Sequence, residues 1–192
     1  MDFATSMFTR CVLAPVEPHI PRYVTPNAIT YSRIVAAGLI WPAYVLAGPW
    51  LCGALFVLAS LSDGFDGYLA RRRNLCSAHG ARWDALADKI LTASMAVLLL
   101  ALVPLLDWNS VFLCCAGLFL RDLLIESFRG LGAQLGPTLR AAKWKTAFQM
   151  IALALLVFGE GYSALSWAGM IALFIALVLS FYSACRYIKR WG

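Results

Sequence analysis

The sequence predicts an all-α integral membrane protein: six transmembrane helices, an N-terminal interfacial amphipathic segment ahead of them, and both termini cytoplasmic. Three observations carry this. Apolar residues make up 61% of the 192-residue chain and charged ones only 14%, with a mean hydropathy of +0.75. A soluble domain carries roughly a quarter charged residues, so this composition cannot build a water-facing surface. Uncharged stretches recur with room for about six crossings of ~20 residues each. Finally, all 16 Lys and Arg residues fall on one side of those crossings.

Residues 1–24 contain Pro15, Pro18 and Pro21 and have an amphipathic character suited to a membrane surface; a disordered tail is the alternative. They lack the charged start and long apolar core of a cleavable signal, so insertion is expected to use the internal spans. A membrane domain is expected over residues 25–192. Residues 34–62 carry no charge and are long enough for two helices, divided by Gly48-Pro49-Trp50. A third span begins near Asp84 and runs through residues 90–106. The fourth covers residues 108–120 and continues past Arg121 toward Arg129. Residues 147–158 form the fifth, lengthened at its start by the Lys143/Lys145 turn. Residues 164–184 form the sixth, the one stretch that passes a hydropathy test unaided. Several spans are short, so their polar ends must belong to the helices and face protein or a watery cavity rather than lipid.

Under this arrangement the far-side connections lie at residues 48–50, around Asp107 and around Glu160, and none contains Lys or Arg. The positive-inside rule then puts the basic side in the cytoplasm. The net charge of +6 therefore speaks of orientation, and no nucleic-acid partner is expected. The 6 cysteines show no CxxC spacing and three lie inside apolar runs; they read as small hydrophobes, without a disulfide framework or zinc site. His19 and His79 are isolated.

Charges within or beside a span are costly and need a reason. The densest group is Asp63-Gly64-Phe65-Asp66-Gly67-Tyr68-Leu69-Ala70-Arg71, followed by Gly80, Asp84 and Asp88. Helical residues three or four apart share a face, so Asp63, Asp66, Gly67 and Ala70 line one stripe at the end of the second helix. Gly80, Asp84 and Asp88 line another at the start of the third. A short connection brings the stripes together, and four converging carboxylates require cations. Oxygen-only ligation suits two Mg²⁺ or Mn²⁺ ions. Gly67 and Ala70 leave a slot beside them, an arrangement suited to a diphosphate ester. Ion pairs with Arg71, Arg72, Arg73, Arg82 and Lys89 are the competing structural explanation, which the complete two-stripe arrangement outweighs.

The pattern D-G-x2-A-R-x8-G-x3-D-x3-D, filled here by Asp66, Gly67, Ala70, Arg71, Gly80, Asp84 and Asp88 with Asp63 ahead of it, resembles the signature of the CDP-alcohol phosphatidyltransferases. The resemblance implies a six-helix membrane fold, usually homodimeric. It implies that Asp63, Asp66, Asp84 and Asp88 hold two divalent ions on the diphosphate of CDP-diacylglycerol, with Asp88 also the catalytic base. Gly67, Ala70 and Arg71 would lie along the CDP moiety. The stretch Asp84-Ala85-Leu86-Ala87-Asp88-Lys89 lacks a proline the family pattern leads one to expect at position 85, and keeps every ligand.

The family uses several acceptors, and three further stretches narrow the choice. Pro26-Asn27-Ala28-Ile29-Thr30-Tyr31-Ser32-Arg33, the Arg121–Arg129 stretch and the Lys143–Met150 stretch resemble segments of bacterial members that take glycerol 3-phosphate. By that resemblance Asn27, Thr30 and Arg33 join the CDP-lipid contacts, although Asn27 could equally be a helix cap. Arg121 and Arg129 lie near one helical face; with Lys143 and Lys145 they form a cluster suited to a phosphomonoester. Contacts to lipid headgroups, or to Asp122 and Glu126, would be the plainer use of these cations. The expected activity is transfer of phosphatidyl from CDP-diacylglycerol to glycerol 3-phosphate in the bacterial inner membrane, at a site facing the cytoplasm. Cardiolipin synthesis from phosphatidylglycerol, or an inositol phosphate acceptor, is the alternative within the family. A non-enzymatic ion pathway or scaffold is the alternative outside it, but its charges should spread across the bilayer rather than gather at one end. Small residues in the third and fourth spans (Thr92, Ala93, Ser94, Cys114, Cys115, Ala116 and Gly117) would allow the close helix approach of a homodimer.

Overall fold

The computed structural model describes residues 25–72, 78–102, 108–130 and 140–191. The expected interfacial segment at residues 1–24 lies outside the described residues. Every regular element among the described residues is a helix: α1 (Pro26–Arg72), α2 (Ala78–Leu102), α3 (Trp108–Gly130), α4 (Arg140–Phe158) and α5 (Ser163–Trp191).

The start of α1 is set by Thr25, whose hydroxyl accepts from the Ala28 amide at 3.3 Å. Pro26 occupies the first helical position, where its missing N–H and fixed φ are an advantage. Thr25 is thus the cap, and Asn27 lies one residue inside the helix with its side chain exposed. At Gly48 the backbone leaves the helical region (φ 71, ψ −163). That φ suits glycine, and Pro49 disfavours the helical region for the residue before it. The Gly48-Pro49 break expected from the sequence is therefore real: α1 is two helical segments that meet there.

The helices pack around Ile40, Phe56, Leu91, Met95, Leu98, Leu118, Leu153 and Leu173, each 1% exposed or less. The most extensive contacts are α4 on α5 and α1 on α2, with α3 lying mainly against α5. Gly53 lets α1 reach α4: a Cβ there would sit 2.5 Å from the Phe158 ring, which Trp50 meets in a tilted contact with ring centroids 5.3 Å apart. Near the same end, Tyr44 donates to Glu160 at 2.7 Å and Ser166 donates to the Gly159 carbonyl at 2.8 Å.

Outside this core the helices carry large apolar side chains outward, with Leu46 83% exposed and Val45 78%. At roughly 25 cal/mol per Å² such surface is unfavourable in water, whereas lipid accepts it. Asn27–Gly64 and Ser163–Arg186 are long and apolar enough to cross a membrane. The small residues of α2 and α3 are partly used inside the chain. Thr92 and Cys114 are buried, and a Cβ on Gly117 would meet Leu177 at 3.0 Å, while Ala116 is exposed.

Candidate active site

Helix direction gathers most of the charged side chains, though not Glu160, at the end opposite Gly48. α1 starts there and returns there, α2 and α4 start there, and α3 and α5 finish there. Arg33, 1% exposed, forms the centre of one half of the site. Its Nη1 donates to Asp63 Oδ1 and its Nη2 to Asp84 Oδ1, so one guanidinium joins both segments of α1 to α2. A buried guanidinium without counter-charges would cost several kcal/mol; the two carboxylates, with side chains 43% exposed, supply them. Beside this bridge Tyr31 meets Trp83 with ring centroids 5.8 Å apart, and Trp83 donates to His79 at 2.7 Å. The sequence grouped Arg33 with the CDP-lipid contacts; in the structure it lies between two of the expected metal-holding aspartates.

Asp88 sits one turn beyond Asp84 and is not part of that bridge. Its Oδ1 is shielded from solvent and has no hydrogen-bond partner among the described residues. Thr92 one turn further on donates to the Asp88 carbonyl at 2.9 Å, which fixes the backbone and leaves the carboxylate for other use. The helical backbone of α1 includes Asp66, Gly67, Ala70 and Arg71, and that of α3 includes Arg129, but the side chains of these five lie outside the described residues. Thr30 is buried at 4% exposure.

The other half of the site is basic. Arg121 on α3 and Lys145 on α4 are 8% and 4% exposed. Asp122 takes both: its Oδ1 accepts from Arg121 at 3.0 Å and its Oδ2 from Lys145 at 2.5 Å. Arg121 also donates to Ser183 on α5 at 2.5 Å, and the Ser183 hydroxyl in turn donates to the Ser180 carbonyl at 2.9 Å. Sequence reasoning missed the part played by Ser183. The available signal was Ser180 and Ser183 three apart on one face of an otherwise apolar helix, where a buried polar pair needs a partner. Asp122 was visible, but only as a competitor for the cations.

The two halves share one pocket of about 510 Å³, lined by Asp63 and Asp88 together with Lys89, Arg121, Asp122, Lys143 and Lys145. That volume is within the roughly 300–1,000 Å³ of small-ligand sites. Carboxylates and cations at separate parts of one pocket can hold a phosphate and bring a hydroxyl on the same molecule toward a base. As the side chains stand, no group of three or more His, Cys, Asp or Glu among the described residues is close enough to hold an ion. The donor chemistry nevertheless fits a hard divalent cation: the carboxylates converge strongly enough to share a buried guanidinium, and the Asp88 oxygen is left orphaned. An ion held by Asp63 and Asp84 would compete with Arg33 for their oxygens.

A family model described as CDP-alcohol phosphatidyltransferase matches residues 23–182. A Rickettsia felis protein named CDP-diacylglycerol–glycerol-3-phosphate 3-phosphatidyltransferase is 34% identical over 173 residues, covering 85% of this chain and 93% of its own. A protein of the same name from Sodalis glossinidius is 34% identical over 171 residues, covering 85% of this chain and 92% of its own. A cardiolipin synthase (CMP-forming) from Oryza sativa subsp. japonica is 29% identical over 195 aligned positions, 91% of this chain but 59% of its own. Similarity that runs through nearly all the described helices, and includes both halves of the pocket, establishes that the chain belongs to the CDP-alcohol phosphatidyltransferase family.

Proposed function

We propose that the protein transfers the phosphatidyl group of CDP-diacylglycerol to sn-glycerol 3-phosphate, giving phosphatidylglycerophosphate and CMP. The observation that carries this is the shared pocket, in which Asp63 and Asp88 open onto the same space as Arg121, Lys143 and Lys145. Serine or choline has no use for such a basic group; a phosphomonoester does. The names of the relatives agree with this acceptor.

In the reaction, Arg121 and Lys145 hold the acceptor phosphate and so orient its free hydroxyl. Asp88 takes the proton from that hydroxyl as its oxygen bonds to the phosphorus carrying diacylglycerol. The bond from that phosphorus to the CMP oxygen breaks, and CMP leaves with the electron pair. Two Mg²⁺ or Mn²⁺ ions on Asp63, Asp66, Asp84 and Asp88 would supply charge neutralisation for the diphosphate. Asn27, Thr30, Gly67, Ala70 and Arg71 are assigned to the CDP-lipid, with Arg33 at its boundary with the aspartates. Arg129 joins the acceptor cluster.

The reading places this site at the cytoplasmic face of a bacterial inner membrane, with six spans, both termini inside, and residues 1–24 along the surface ahead of the membrane domain. Supporting it are the division of α1 at Gly48 and the absence of Lys and Arg around Gly48 and Glu160. A homodimer belongs to the same reading through the family resemblance. Detergent-solubilised protein should have the mass of two chains; a sample that stayed monomeric over a wide concentration range would remove the dimer from it.

The deciding assay offers CDP-diacylglycerol with glycerol 3-phosphate, phosphatidylglycerol, inositol phosphate or serine, with and without Mg²⁺ or Mn²⁺. CMP release is expected with glycerol 3-phosphate and metal. Release with phosphatidylglycerol alone would make the protein a cardiolipin synthase, and release with none would return it to the non-enzymatic class.

A further inference from the structure

Asp122 stands in an unexpected place for a site that binds an anion. Its two carboxylate oxygens engage the very cations assigned to the acceptor phosphate, Arg121 at 3.0 Å and Lys145 at 2.5 Å, and all three line the pocket. Two buried cations side by side repel each other and are costly without a counter-charge, so Asp122 stabilises the pair before any substrate arrives. The same carboxylate opposes an incoming phosphate. An anion must either draw Arg121 and Lys145 away from Asp122 or bind beside a like charge, and both weaken its hold.

We infer that Asp122 sets the strength of the phosphate site: it is a resident counter-ion that lowers the hold of the cation pair on any phosphate, so that inorganic phosphate is retained weakly and an acceptor depends on its hydroxyl contact as well. Inorganic phosphate gains only what the two cations can release from Asp122. A polyol phosphate gains that and the contact of its hydroxyl with the carboxylate half of the pocket, where Asp88 keeps an orphaned oxygen. Ser183 helps make Asp122 a competitor rather than a bystander, because it holds Arg121 from the side of α5 and limits how far the guanidinium can follow a ligand. The inference rests on the proposed role of Arg121 and Lys145.

The test is a ³¹P NMR titration of the full-length detergent-solubilised protein with inorganic phosphate, which needs no turnover, alongside inhibition of CMP release by the same anion. Asp122→Asn keeps the shape and an oxygen acceptor but removes the charge. It should bind inorganic phosphate about tenfold more tightly than wild type, since a like charge a few ångströms away is lost. With glycerol 3-phosphate held well below its KM, phosphate should also inhibit CMP release at a correspondingly lower concentration. Asp122→Glu should restore weak phosphate binding, and Asp122→Ser provides a second neutral variant if the asparagine fails to fold. Neutral variants that bind phosphate no better than wild type would overturn the inference and leave Asp122 as an anchor for Lys145. If instead phosphate binds as expected but no acceptor yields CMP, the functional assignment fails while the inference about Asp122 stands.

Discussion

Asp88→Asn is expected to lower kcat by about 10²–10⁴-fold, the range for loss of a positioned general base, with thermal stability close to wild type. The second half of that expectation comes from the structure. The Asp88 Oδ1 has no hydrogen-bond partner among the described residues, and the bridge through Arg33 runs to Asp63 and Asp84 instead. Removing the Asp88 charge therefore breaks no ion pair with Arg33. Asp63→Asn and Asp84→Asn should also abolish turnover, but each takes a counter-charge from a guanidinium that is 1% exposed. These variants should in addition lose about 1–3 kcal/mol of stability, the cost of a weakened partner for a buried donor. Measuring kcat for CMP release and the midpoint of thermal unfolding for all three separates chemistry from scaffolding. Near-normal turnover of Asp88→Asn in saturating Mg²⁺ would falsify its assignment as base and ligand. Equal destabilisation of all three would mean that Asp88 belongs to the Arg33 bridge.

How much of this was legible beforehand depended on the range of the interaction. The helices and the division of α1 were readable because apolar runs and a Gly-Pro pair act locally. The continuation of the α3 helix past Arg121 was readable too, since a charge at the end of an apolar run can remain helical if protein surrounds it. At the start of α1 the sequence left Asn27 between a CDP-lipid contact and a helix cap; Pro26 fits the first helical position and so makes Thr25 the cap. Arg33 is a harder case. Its partners lie 30 and 51 residues away, and only burial, which periodicity cannot measure, determines that it needs two carboxylates. The same holds for the basic half. Arg121 and Lys145 were recognised as cations near one surface, yet their common partner Asp122 requires α3 and α4 to be packed, and Ser183 requires α5. The signature named Asp63, Asp84 and Asp88 as candidates, and the packing of α1 on α2 brings the first two onto one guanidinium.

The basic half leads to the second large effect. Arg121→Ala and Lys145→Ala should each raise the KM for glycerol 3-phosphate by roughly 10–100-fold, the equivalent of losing one charge-assisted hydrogen bond. Phosphate contacts exist in both the bound and transition states, so most of the loss should appear in KM, with a smaller fall in kcat where the hydroxyl is no longer aligned. The KM for CDP-diacylglycerol should scarcely move, because that substrate is assigned to the aspartates and the α1 stripe. The two variants should also differ from each other. Each variant leaves Asp122 paired with the remaining cation, Arg121 at 3.0 Å or Lys145 at 2.5 Å, so phosphate binding should suffer in both. Arg121→Ala frees Ser183 as well, loosening α3 from α5, and should carry a stability loss that Lys145→Ala does not. Varying each substrate separately for both variants, with unfolding midpoints in parallel, measures all of these. Loss of affinity confined to the CDP-lipid would move the basic half to the donor side and remove the physical case for a phosphorylated acceptor.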